Sequence, residues 1–206
     1  MTLEADLARE DSVDAIVEAA QDRFGHVDIL VNNAGINFST NLATPPKFWE
    51  ATAEQWRISV ALHTAAPMAL SRVLVPPMIE RRWGRVVNIT TSLGTMIRAG
   101  SPVYGPSKAA LEAYTSIVAK DLVGTGVTAD ILVPGGITNT AMVGTGGSYA
   151  REDMLQPEIM VPPFRWIISD EARDVTDHRF VAAYWDTRIP GSKPPRRREP
   201  QPRGGT

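Results

Sequence analysis

The chain has 206 residues, 43% of them hydrophobic and 21% charged, with a formal net charge of −2. That balance excludes a mainly disordered chain and suffices for one α/β domain with a modest core. Zero cysteines exclude a disulfide framework and any thiolate-bound metal, and His26, His63 and His178 show no metal-ligand spacing.

Val13, Ile16, Val17, Ala20 and Phe24 recur at helical spacing, with Asp11 or Ser12 placed to cap the start and Gly25 to end it. An apolar strand follows at 27–31, then the turn Asn32-Asn33-Ala34-Gly35. A long helix is expected over about 52–81, a strand near 85–90, a helix over about 104–123 closed by Gly124, and a strand at 127–133 that stops at Pro134-Gly135-Gly136. A last strand is expected at 179–185. Short apolar strands bounded by helices predict a parallel sheet covered on both faces. No uninterrupted run of 18 apolar residues occurs, and the opening MTLEADLARED lacks a signal-peptide layout. The expectation is a cytoplasmic protein without membrane contact.

Residues 188–206 carry a charge of +5 and the remainder −7. Five prolines and three glycines fall between Pro190 and Thr206, a segment that can bury almost nothing. The expected organisation is therefore one domain over 1–189 and a disordered Pro/Arg-rich tail over 190–206. Arg196, Arg197 and Arg198 could meet phosphate. The acidic remainder, without an aromatic-interleaved basic face, favours a solvated tail and no nucleic-acid partner.

In a parallel α/β sheet, ligands bind outside the carboxyl ends of the strands. Three polar segments are expected at that edge: 32–35, 90–92 and 134–140. The sharpest local pattern is Tyr104-Gly105-Pro106-Ser107-Lys108. Tyrosine and lysine at i and i+4 share a helix face about 6 Å apart. An ammonium that close is expected to favour the phenolate and lower the tyrosine pKa towards the range useful for proton transfer. Alone, the pair is also common on ordinary surface helices.

Four motifs occur in order: NNAG after a buried strand, GRVVNITT ending the next, YxxxK thirteen residues after Thr91, and PGG after the following strand. Together, over residues 6 to about 187, they resemble the short-chain dehydrogenase/reductase family. The resemblance implies a three-layer, Rossmann-type, doubly wound parallel sheet. It also implies hydride exchange between NAD or NADP and a hydroxyl or carbonyl carbon, on a small alcohol or ketone. By the same resemblance Tyr104 is the acid/base, and Lys108 lowers its pKa and holds the nicotinamide ribose. Thr91 falls where the family has the serine that bonds the substrate oxygen, with Ser92 able to replace it if the strand end shifts. On the cofactor side the resemblance points to Asp6 and Leu7 at the adenine, to Asn33 with Ala34 and Gly35 in the groove, and to Pro134, Gly135 and Ile137 at the carboxamide. Thr138 and Thr140 flank the family's threonine.

Two departures stand out. Family members open with a strand, a glycine-rich turn and a helix that binds pyrophosphate, whereas no glycine precedes Gly25 here. The expectation is an N-terminally truncated sheet with its first βαβ unit missing and an apolar edge left at 27–31. The residue that selects NAD or NADP belongs to that same unit. Second, His63 stands where the family has its active-site asparagine. It reads as a functional acid, as a histidine tolerated on a helix, or as a bystander whose carbonyl is freed because Pro67 lacks an N–H. The helices near 52–81 and 104–123 form subunit interfaces in the family, so a homodimer or homotetramer is implied. The alternative function is a non-catalytic structural subunit that packs against complete partners. Tyr149, Met154, Met160, Phe164 and Trp166 populate the family's substrate loop and fit a moderately apolar substrate or a core cover equally.

Overall fold

The computed structural model describes residues 1–9, 11–39, 44–143 and 150–186; the tail expected at 190–206 and Tyr149 lie outside them. Helix α1 (Ser12–Phe24) precedes strand β1 (Ile29–Asn32). Helix α2 (Ala53–Val60), a π-helical turn (Ala61–Ala65) and helix α3 (Ala66–Glu80) then run end to end. Strand β2 (Gly84–Ile89), the short helix α4 (Leu93–Met96), helix α5 (Tyr104–Asp121) and strand β3 (Val127–Val133) follow. Helix α6 (Val161–Ile167) and strand β4 (Arg179–Val181) complete the described elements.

The strands pair in the order β1-β2-β3-β4, all parallel. Alternation along them sends Val86, Val127 and Ala129 into one core with Val13 and Val17 of α1, Leu70, Leu74 and Met78 of α3, and Ala119 of α5. Val87 and Leu132 point the other way, onto Ile167 of α6 and Phe180. Helices on both faces of a parallel sheet give the covered sheet that the alternation of elements predicts, in the Rossmann-type arrangement that the family resemblance implies. The stretch Ala53–Glu80 is long and apolar enough by composition to cross a bilayer, but Leu70, Leu74, Val75 and Met78 are buried in the sheet core. Among the described residues β1 pairs on one side only, and Val31 is 40% exposed.

Local chemistry sets several boundaries. Thr52 caps α2: its hydroxyl accepts from the Gln55 N–H while Gln55 reaches back to the Thr52 N–H. At α1 the expected side-chain cap is absent. Asp11 instead pairs with Arg9, and the Ser12 hydroxyl bonds the Asp6 carbonyl at 2.6 Å. The last strand is shorter than the sequence suggests, because a 3₁₀ turn begins at Ala182. Inside the sheet, the Asn32 amide donates to Asn88 at 2.7 Å, Asn88 donates to Thr115 at 2.8 Å, and Thr115 donates to the Leu111 carbonyl at 2.6 Å. This chain of satisfied polar groups fixes β1, β2 and α5 relative to one another where an unpaired group would be costly.

A buried carboxyl sits on the opposite face of the sheet, where Asp130 pairs with Val87. Asp130, in the middle of β3, is 1% exposed and accepts from the His178 N–H at 3.0 Å. Loss of hydration pushes its pKa up to about 7, against the lowering effects of that hydrogen bond and of Arg85. The folded chain thus keeps a proton that the unfolded chain releases near 4. The stabilisation it brings is complete below about pH 4 and is lost as pH rises through about 7, at roughly 1.4 kcal/mol per pKa unit. Asp130→Asn keeps the acceptor and removes the proton, so the variant should lack that downward slope. Urea unfolding of both proteins from pH 4 to 8 checks this; parallel curves would refute it.

Candidate active site

Because the strands are parallel, the ends of β1, β2 and β3 bring 32–35, 90–92 and 134–136 to one edge of the sheet. Tyr104 opens α5 beneath that edge and is 8% exposed. The Thr91 side chain faces its hydroxyl and opposes the effect of burial on the phenol. Ser92 is engaged elsewhere: its hydroxyl caps α4, accepting from the Thr95 N–H and bonding the Thr95 hydroxyl at 2.8 Å. Thr91, and not Ser92, is therefore the hydroxyl that faces the phenol.

Lys108 lies one turn along α5 and is 3% exposed. Its ammonium donates to the Ile89 carbonyl at 2.9 Å, and burial lowers its pKa to about 8. The expectation that it lowers the Tyr104 pKa does not hold in this arrangement. Burial raises the Tyr104 pKa above its ordinary value, and the opposing effect comes from the Thr91 hydroxyl. The physical reason is that desolvating a phenolate is costly while the nearby ammonium is directed at a strand carbonyl.

A second layer holds Thr91. Arg179, from the start of β4, donates to the Thr91 carbonyl at 2.6 Å and to Glu112 of α5 at 2.9 Å. Glu112 also accepts from the Thr90 hydroxyl at 2.5 Å. Both charged side chains are only 15% exposed. Arg179 and Glu112 are 67 residues apart, and nothing local in the sequence pairs them.

His63 occupies the π-helical turn and is fully buried. Its Nδ1 lies 2.8 Å from the Ser107 hydroxyl and its Nε2 accepts from the Ile36 N–H at 3.0 Å. Both ring nitrogens are engaged, and burial with the Lys108 ammonium lowers its pKa to about 3. A free histidine acid is not what this geometry provides. Pro67 falls in the first turn of α3, directly after the π turn. A proline ring crowds the carbonyl four residues back, and the wider turn relieves that clash at His63. No local pattern in the sequence marks Ser107, one of the residues within the Tyr-to-Lys motif, or Ile36.

Leu7, Asn33 and Ala34 line a cavity of about 280 Å³ with Leu30, Val31, Pro67, Leu70 and Leu74, along the free side of β1. Apolar walls with an amide at the end suit a flat heteroaromatic ring. Asp6 is not in that wall; its carboxylate accepts from the Ala8 N–H at 2.9 Å and shapes its own turn. After β3, the Pro134 carbonyl accepts from the Ala183 N–H and the Ile137 carbonyl from the Leu155 N–H, which fixes the segment beside the site. Thr138 bonds the Gly136 carbonyl at 3.2 Å, and the Thr140 carbonyl accepts from Arg151 at 3.3 Å. Met160, Phe164 and Trp166 pack on the Val87–Phe180 core, so these members of the expected substrate loop act as core cover. Met154 is also buried.

A family model described as short chain dehydrogenase matches residues 1–148. The chain is 37% identical over 137 residues to the ketoacyl reductase HetN of a Nostoc species, covering 66% of this chain and 46% of that protein. It is 34% identical over 125 residues to the 3-oxoacyl-[acyl-carrier-protein] reductase FabG of Vibrio cholerae, covering 61% and 49%. To the D-beta-hydroxybutyrate dehydrogenase of Cupriavidus necator it is 30% identical over 132 residues, covering 64% and 48%. The chain spans about half the length of the curated relatives it matches.

Proposed function

The chain belongs to the short-chain dehydrogenase family, and we propose that it serves as an NAD(P)-dependent oxidoreductase with Tyr104 as the acid/base. The observation that carries the reading is the hydroxyl of half-buried Thr91 set against the phenol of buried Tyr104, one helical turn from a buried, protonated Lys108. Two hydroxyls that face each other can hold one carbonyl oxygen between them, and the phenol can give it a proton. In the reverse direction the Tyr104 phenolate oxygen takes the proton from the alcohol. Thr91 donates to or accepts from the substrate oxygen and is held in place by Arg179. Lys108 supplies positive charge that favours phenolate once its ammonium turns from the Ile89 carbonyl. Leu7, Asn33 and Ala34 are the residues that would hold a ring of the dinucleotide, with Lys108 at the ribose. When bound, the nicotinamide supplies or accepts the hydride.

The relatives' names make 3-oxoacyl and 3-hydroxyacyl compounds the first substrates to try. Trp56, Val60, Met68 and Ile117 are apolar side chains left exposed on the helices that the family uses between subunits, which supports a homodimer or homotetramer. The test is titration with NADH and NADPH, followed by turnover of a 3-oxobutyryl thioester monitored at the reduced nicotinamide absorbance. Saturable binding with turnover is expected. Absence of saturable binding to either cofactor would favour the non-catalytic subunit.

A further inference from the structure

We infer that His63 is a positioning residue that ties the loop after β1, carrying Asn33–Gly35, to the first turn of α5, carrying Tyr104. The inference rests on the oxidoreductase reading and adds to it a role for the histidine that stands where the family has an asparagine.

The hydrogen bonds determine which nitrogen carries the proton. The Ile36 N–H points at Nε2 at 3.0 Å, so Nε2 must offer its lone pair. Nδ1 then carries the proton and donates to the Ser107 hydroxyl at 2.8 Å. That hydroxyl in turn donates to the Tyr104 carbonyl at 2.9 Å. All donors run in one direction, from the loop amide through the imidazole and Ser107 to the backbone of the acid/base residue. An imidazolium would set an N–H against the Ile36 N–H and break the series. The charges around the ring agree: Lys108 of α5 opposes a second positive charge, the loop offers backbone, and Thr64 of the π turn is spent on the Ser107 carbonyl at 3.1 Å.

Packing reinforces the tie on both sides. A Cβ added at Gly35 would lie 3.2 Å from Nε2, so the loop backbone rests directly on the ring. The ring meets the Tyr104 ring edge-on, with centroids 5.3 Å apart. The imidazole has no nitrogen left for proton exchange with substrate; its effect is on where the loop and the phenol stand relative to each other.

Two substitutions separate the two ends. In His63→Gln the amide oxygen can reach the Ile36 N–H, while Ser107 loses its donor. In His63→Asn the shorter amide can still donate to Ser107, while the Ile36 N–H is released. The Gln variant should lose kcat by roughly fivefold, the scale of one hydrogen bond, with the cofactor KM little changed. Ser107→Ala should reproduce that loss, and the double variant should be no worse than either single one. The Asn variant should raise the cofactor KM by a similar factor and hold kcat within about twofold. Ile36 amide exchange should be slow in the wild type and the Gln variant and fast in the Asn variant. Nitrogen NMR of the wild type should show the neutral Nδ1–H form unchanged from pH 5 to 8. Titration of His63 in that range, or the same kcat and KM split in both variants, overturns the inference. Wild-type chain that turns over no substrate would count against the oxidoreductase reading, and exchange and NMR would then decide the tie by themselves.

Discussion

Tyr104→Phe should lower kcat by at least ~10²-fold, the usual cost of losing a positioned acid/base. The ring stays, so the edge-on contact with His63 and the Ser107 bond to the Tyr104 carbonyl both survive. Cofactor affinity should barely change for that reason. Among the described residues, the interaction removed inside the protein is that with the Thr91 side chain, worth about 1 kcal/mol net. A thermal midpoint within a few degrees of wild type, measured beside kcat, shows that the loss is chemical. Retention of more than half the wild-type kcat would remove the phenol from the mechanism. Since burial raises the Tyr104 pKa in this structure, oxidation of alcohol should also accelerate with pH up to the alkaline limit of stability. The Phe variant should not show that rise.

A large loss of stability from a single methyl group is expected at Gly105. A Cβ there would stand 2.1 Å from the Met96 carbonyl oxygen and 2.8 Å from its carbon, because the α4 backbone lies directly on the first turn of α5. Backbone cannot turn aside as a side chain can, so Gly105→Ala must push α4 and α5 apart. Overpacking of this kind costs about 1–3 kcal/mol. In a chain of this size that lowers Tm by roughly 2–4 °C per kcal/mol. The shift falls beside Tyr104 and should also reduce kcat. Gly94→Ala, in the same short helix α4 but with nothing within 4 Å of the added carbon, is the control and should leave Tm unchanged or slightly higher. Equal effects at the two glycines would mean that helix propensity, and not the close approach, is what matters.

Sequence by itself determined whatever depends on neighbours along the chain. The 3.6-residue period puts Tyr104 and Lys108 on one face of α5, and the alternation of short apolar strands with helices determines a parallel sheet with its polar turns at one edge. The four ordered motifs determine the family. Tertiary structure decided the rest, because each remaining contact joins residues that no local period relates. Thr91 was separated from Ser92 only when Ser92 turned to cap α4. The lysine's effect on the tyrosine could be judged only once burial and the Ile89 carbonyl were in place, since an i,i+4 spacing says nothing of hydration. His63 is 27 residues from Ile36 and 44 from Ser107, and Arg179 is 88 from Thr91. Those bonds exist because the sheet and helices first pack by apolar burial, and the polar groups trapped between them must then find partners or leave the fold short of a hydrogen bond.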